Sequence, residues 1–377
     1  MKKWIFLIAV LSFIYTTNTT AQCPQGDKYF QNQAQVDYFA IQCASVDTIH
    51  GALIIGDLNS DITDLSGLIN LKVILGGLTI QHNDSLRTLQ GLDSISVLQG
   101  WLTLNDNLSL QSLGHLDGIS GIQGAISIQQ NDSLEDVNGL QNVRDFDGDL
   151  LITENPLLAD LRGLSRISLA PAHVRIHDNG GLHNLVGLDS LMMIQGDLTV
   201  QNNDSLLSFQ GLEQLRFIGH DCSITYNSVL RNLDAFANLD SIKGDLFIGS
   251  NDSLSECTGI CHLLTGEGLV SGSIAIGDNF TGCLNNADIT PYCEALPTIQ
   301  AEPLALKIYP NPGHQYLDIN FAEAIQQVRI FSLAGKPIRF LKIYENKHID
   351  ISNLSAGMYI LALSTKNTVH YKKIVVE

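Results

Sequence analysis

The nine residues LTIQHNDSL, Leu78 to Leu86, return 24 positions later as LTLNDNLSL from Leu102, and again as ISIQQNDSL from Ile126. The asparagine of this phrase keeps the interval through Asn83, Asn107, Asn131, Asn155, Asn179, Asn203, Asn227 and Asn251. Five residues ahead of each stands Leu78, Leu102, Ile126, Leu150, Val174, Leu198, Cys222 or Leu246. Three ahead stands Ile80, Leu104, Ile128, Ile152, Ile176, Val200, Ile224 or Ile248. Apolar residues at every second position predict a short strand with one buried face. Three residues after each asparagine comes a leucine, from Leu86 to Leu254, and further apolar columns pass through Leu89, Leu92 and Ile95. One such coil cannot enclose its own apolar sites, so stacking must remove them from water. A fixed period in the twenties is the mark of a solenoid.

The asparagines have a physical reason of their own. Each coil turns sharply after its strand and leaves backbone groups inside the stack, where a primary amide offers both donors and an acceptor. They therefore read as an internal scaffold ladder. Asn83, Asn107, Asn131, Asn203 and Asn251 also begin Asn-x-Ser sequons. A buried ladder cannot carry a glycan.

The order of strand, asparagine turn, leucine, Gly-Leu and closing glycine (Gly100, Gly124, Gly148, Gly196, Gly244) resembles leucine-rich repeats, and more closely the receptor L domain. That resemblance implies a mainly β chain: a right-handed, single-stranded β-helix of 24-residue coils over residues 22–293. It carries almost no information about a ligand. Exposed terminal coils need closure. At the front, Asn32 can cap a helical turn or two over Gln33 to Phe39, between Cys23 and Cys43. At the rear, Cys257, Cys261, Cys283 and Cys293 surround a last strand containing Ile274 and Ile276.

Seven cysteines leave one unpaired. Cys222 falls in a strand column otherwise filled by aliphatic residues and reads as a buried, inert thiol. Cys23 is expected to pair with Cys43. The four rear cysteines allow three connectivities; superposing the last coils on their asparagines sets Cys257 beside Cys283, which leaves Cys261 for Cys293. An oxidising compartment agrees with the N-terminus, where Lys2 and Lys3 precede an apolar run from Trp4 to Tyr15 and small residues end at Ala21. Residues 1–21 read as a signal peptide, with a run too short to span a bilayer. No other stretch predicts a transmembrane segment. A net charge of −18 excludes nucleic-acid or anionic-membrane binding through bulk charge.

The repeat stops at Glu294, and a linker over 294–304 leads to a different module at 305–377. Alternation predicts seven strands there: Leu306–Tyr309, Tyr316–Phe321, Val328–Phe331, Ile338–Ile343, His348–Ile351, Met358–Leu363 and Tyr371–Val376. So many strands in so short a stretch predict a small β-sandwich. Tyr309-Pro310-Asn311-Pro312, the phrase around Gly335, the phrase around Gly357 and the lysine pair ending at Lys373 resemble, in order, the type A C-terminal sorting domain. The resemblance implies export by the type IX (Por) secretion machinery of Bacteroidota, through the periplasm to the outer surface or the medium.

No His-Glu-x-x-His, Gly-x-Ser-x-Gly, Walker loop or Cys-x-x-Cys is present. The expectation is a protein without catalysis, metal or cofactor. Function then falls to the outward strand face, whose two rows are mild apart from one middle coil following Pro171. Arg175, His177 and Asp178 sit together there, with Thr153 one coil before, Gln201 one coil after and Tyr226 two coils on. A basic pair could meet a carboxylate or sulfate. Two readings follow: a secreted recognition or adhesion protein with an extracellular protein or glycan ligand, or a structural component of the surface that binds its own copies.

Overall fold

The computed structural model describes Cys23 and residues 26–266, 268–295, 306–321, 324–332, 337–341, 348–365 and 369–376. The expected signal peptide lies outside them. So does the expected linker, except for Glu294 and Ala295, which end the helix Asn286–Ala295.

Eleven strands make one long parallel sheet in strict chain order, beginning with Lys28–Phe30 and Leu53–Ile55 and ending with Leu246–Gly249 and Ile274–Gly277. Leu150 pairs with Val174 and Ile152 with Ile176, and the same 24-residue register holds from Leu78 to Leu246. Each column thus stacks on itself. One continuous apolar core runs from Phe30 to Cys293. The strand Lys28–Phe30 escapes the sequence pattern because Gln33, not asparagine, stands at its ladder position; in the next coil Gly56 follows the strand with φ +101°.

The solenoid carries more than its long sheet. A second set of strands, each only two residues long, forms two further parallel sheets of five, one from Thr48–Ile49 to Asp145–Phe146 and the other from Leu169–Ala170 to Leu269–Val270. Two residues offer no alternation to read. Coil spacing is also set by glycine: a Cβ on Gly139 or Gly163 would lie 1.6 or 1.8 Å from the carbonyl oxygen of the preceding coil.

The asparagine ladder is fully buried from Asn83 to Asn251. Asn155 is typical. Its Nδ2 donates to Ile128 O at 3.0 Å, Thr153 O at 2.9 Å and Asn179 Oδ1 at 3.2 Å, and its Oδ1 accepts the backbone N–H and the Nδ2 of Asn131. The residue before each ladder asparagine takes the left-handed conformation, from His82 to Asp278. At the front the ladder ends on the Ser60 hydroxyl, which donates to Asn83 Oδ1 at 2.7 Å. At the rear Asn279 extends it by one rung and turns its amide to Cys283 O at 3.1 Å.

The helix Gln33–Gln42 closes the front, with Asn32 accepting from Gln35 N–H. Disulfides join Cys23 to Cys43, Cys257 to Cys283 and Cys261 to Cys293. Cys222 is free and buried, and burial, with Asp221 beside it, pushes its thiol up to about 12. The neutral thiol is therefore the stable form, and it fills the column as a small apolar side chain.

Among the described residues the C-terminal module has seven strands in two antiparallel sheets, one of three (Lys307–Tyr309, Tyr316–Asn320, His348–Asp350) and one of four (Pro337–Leu341, Gln327–Ser332, Gly357–Ser364, Val369–Val376). Its apolar core, from Leu317 to Val376, is separate from that of the solenoid.

Candidate functional site

On the long sheet Arg175 lies between Leu151 and Thr199, and His177 lies between Thr153 and Gln201. Arg175 Nη1 stands 3.4 Å from Asp149 Oδ2 and Nη2 stands 4.0 Å from Asp197 Oδ2. His177 Nδ1 is 2.6 Å from Asp178 Oδ2. The basic pair is therefore already matched by carboxylates, so it is no ready anion receptor. Asp178 and Tyr226 both occupy the left-handed turn position, and Tyr226 is the exposed aromatic of the group at 56%.

Thr153 corrects the sequence reading. It belongs to the outward row yet is only 3% exposed, and its hydroxyl donates to Gln129 Oε1 at 3.3 Å. Parallel strands lie about 4.8 Å apart, so the longer Gln129 and His177 on either side cover the short threonine. Ser127 and Thr225 of the outward rows are buried as well. The surface available to a ligand is Arg175, His177, Asp178, Gln201 and Tyr226, without Thr153.

One rim of the sheet carries a feature that local motifs do not reveal. From Asp149 onward, the aspartate immediately before a strand accepts the backbone N–H of its counterpart one coil on: Asp149 from His173 at 3.1 Å, Asp197 from Asp221 at 3.1 Å, Asp221 from Asp245 at 2.8 Å, and Asp245 from Ser273 at 2.6 Å. His173 occupies this aspartate column and does the same work, its Nδ1 accepting Asp197 N–H at 3.0 Å. The neighbouring column, two residues before each strand, reads Gly76, Gly100, Gly124, Gly148, Ala172, Gly196, His220, Gly244 and Gly272. A Cβ on Gly196 or Gly244 would fall within 2.7 Å of the preceding coil's backbone. His220 alone breaks the column with a large side chain. Both histidines face Asp197, at 2.8 Å from His173 Nδ1 and 3.8 Å from His220 Nδ1. These three are the one set of His, Cys, Asp or Glu groups among the described residues that could hold a metal ion.

A cavity of about 560 Å³ lies off the long sheet, between Met192, Arg216 and Asp240 of the solenoid and Phe331, Tyr371 and Lys373 of the C-terminal module. Arg216 stands 5.7 Å over the Tyr371 ring. Burial pushes both the Tyr371 phenol and the Asp240 carboxyl up, and Arg216 opposes the shift on each.

In the C-terminal module the Tyr309-Pro310-Asn311-Pro312 phrase is a clasp. Asn311 Nδ2 donates to Lys373 O at 3.1 Å, and Asn311 Oδ1 accepts Val375 N–H at 2.7 Å, so one amide ties the first turn to the last strand. Gly357 opens the strand Gly357–Ser364, Tyr309 and Lys373 are exposed, and Gly335 lies outside the described residues.

These features define a β-solenoid body followed by an antiparallel tail. Residues 307–377 match the secretion system C-terminal sorting domain family. Such a tail places the chain in the hands of the type IX secretion machinery and directs it to the cell surface or the extracellular space. No curated protein matches the chain. Among the described residues no helix is long and apolar enough to cross a membrane.

Proposed function

We propose that the exported chain is a non-catalytic recognition or adhesion protein, akin to receptor L domains in its repeat, whose long sheet presents a binding face to an extracellular protein or glycan. The reading is supported chiefly by the continuity of that face: eleven strands in one parallel sheet give a surface roughly 48 Å long. Solenoids use extended surfaces of this kind for binding. Arg175, His177 and Tyr226 supply basic groups and an aromatic, with Gln201 beside His177, on a face whose other coils carry mostly threonine, serine and glutamine. The alternative, a self-associating surface component, would use the same face against a second copy.

Arrays of glycans and extracellular proteins probed with the purified chain and with an Arg175→Ala/His177→Ala/Tyr226→Ala variant separate these readings. Recognition predicts one ligand class, bound at least about tenfold more weakly by the variant, equivalent to ~1.4 kcal/mol. Equal binding by both chains would remove the face from consideration. Concentration-dependent self-association that the variant abolishes would favour the structural alternative, and turnover of a bound compound would contradict the absence of catalysis.

A further inference from the structure

We propose that His173, Asp197 and His220 form a binding site for one divalent transition-metal ion of the zinc class, independent of whatever ligand the sheet face takes. Three observations converge on it. Two departures from the repeat, a histidine in the aspartate column and a histidine in the glycine column, fall on adjacent or next-adjacent coils and face the same carboxylate. A column that is otherwise glycine, with Ala172 the one small side chain, accommodates a large one where it meets Asp197. The stacking of coils that aligns columns is what brings residues 23 and 24 positions apart into one cluster.

The geometry suits a small ion. One ligand atom from each residue lies within 4.8 Å of the other two. Tetrahedral ligands at about 2.0–2.1 Å from zinc are separated by roughly 3.3 Å; His173 Nδ1 lies 2.8 Å from Asp197 Oδ2 and His220 Nδ1 3.8 Å from Asp197 Oδ1, each imidazole facing its own oxygen of the carboxylate. His220 Nδ1 is too far from Asp197 Oδ1 for a hydrogen bond, so the ring faces the carboxylate without being fastened to it. The imidazole rings stand 6.0 Å apart, centroid to centroid. Two imidazoles and a carboxylate favour zinc, nickel or copper over calcium or magnesium, which prefer all-oxygen sets. Three protein ligands leave at least one position open to water or to a side chain from another molecule.

Competing groups limit the affinity. The Asp197 N–H holds the Nδ1 lone pair of His173, the Asp221 N–H holds Asp197 Oδ1, and the Arg175 guanidinium stands 4.0 Å from Asp197 Oδ2. Asp149 draws Arg175 the other way, and Asp221 adds negative charge beside the cluster. Micromolar binding is expected, short of a closed structural zinc site.

Calorimetric titration of the untagged full chain with Zn²⁺ tests the assignment against His220→Gly, His173→Asn and His177→Gln. The first restores the residue usual in its column, and the second keeps a side-chain acceptor for Asp197 N–H, so both should fold as the parent does in thermal melts. The parent is expected to bind one equivalent. Affinity should drop at least about tenfold in His220→Gly and His173→Asn, the range seen when metal sites lose supporting groups, and should stay unchanged in His177→Gln. Parent and His220→Gly binding alike, or no uptake by the parent at micromolar Zn²⁺, would overturn the proposal.

Discussion

Removal of residues 306–377 is expected to abolish appearance of the protein at the cell surface and in the medium of a type IX-competent host, while leaving a folded solenoid in the cell envelope. The solenoid core closes at Cys293 and shares no member with the core of the tail, so truncation takes nothing out of the stack. The two capping disulfides at the rear stay intact because both lie before the cut. The expected N-terminal signal delivers the chain only across the inner membrane, and residues 307–377 supply the second address. Immunoblots of cells, envelope and medium for the full and truncated chains read the result directly. A truncated chain that reaches the medium in amounts equal to the full one would detach export from the tail.

The second large effect is energetic. Asn155→Ala should lower the unfolding free energy by roughly 2–5 kcal/mol, because it leaves buried backbone groups short of partners at about 1–3 kcal/mol each. The Asn131 N–H loses its acceptor, and the carbonyls of Ile128 and Thr153 lose a donor. Water cannot replace the amide easily, since the column has no exposure to solvent. Thr153→Ala removes one hydrogen bond of 3.3 Å between side chains and should cost about 1 kcal/mol or less. Urea melts of the two variants provide the comparison, and equal losses would deny the ladder its internal role.

The stack was legible because its physics repeats. Asn83 to Asn251, the strand columns and the leucines at Leu86 to Leu254 report the same environment eight times over, so period alone identifies them. The seven tail strands were legible by alternation, although their division into sheets of three and four depends on pairings that alternation does not encode. Less could be read where structure depends on neighbours. Thr153 is outward by parity but buried by the lengths of Gln129 and His177. The two-residue strands from Thr48–Ile49 onward carry no pattern of their own. Asp197 looks like one more turn aspartate until stacking sets His173 and His220 against it. The signal that could have shown that cluster was present: His220 is the one bulky residue in a column of glycine and alanine.

The binding face and the metal site both rest on coils that stack in one register, and disulfide trapping tests this most directly. Thr79 pairs with Thr103 and Thr103 with Ser127, so neighbours one coil apart lie at a strand spacing of about 4.8 Å, within reach of a disulfide. Residues two coils apart lie at roughly 9.6 Å, beyond it. In a Cys222→Ala background, the pair Thr79→Cys/Thr103→Cys should crosslink rapidly under mild oxidation, and the pair Thr79→Cys/Ser127→Cys should not. Equal crosslinking of both pairs, or none in the first, would contradict the 24-residue stack.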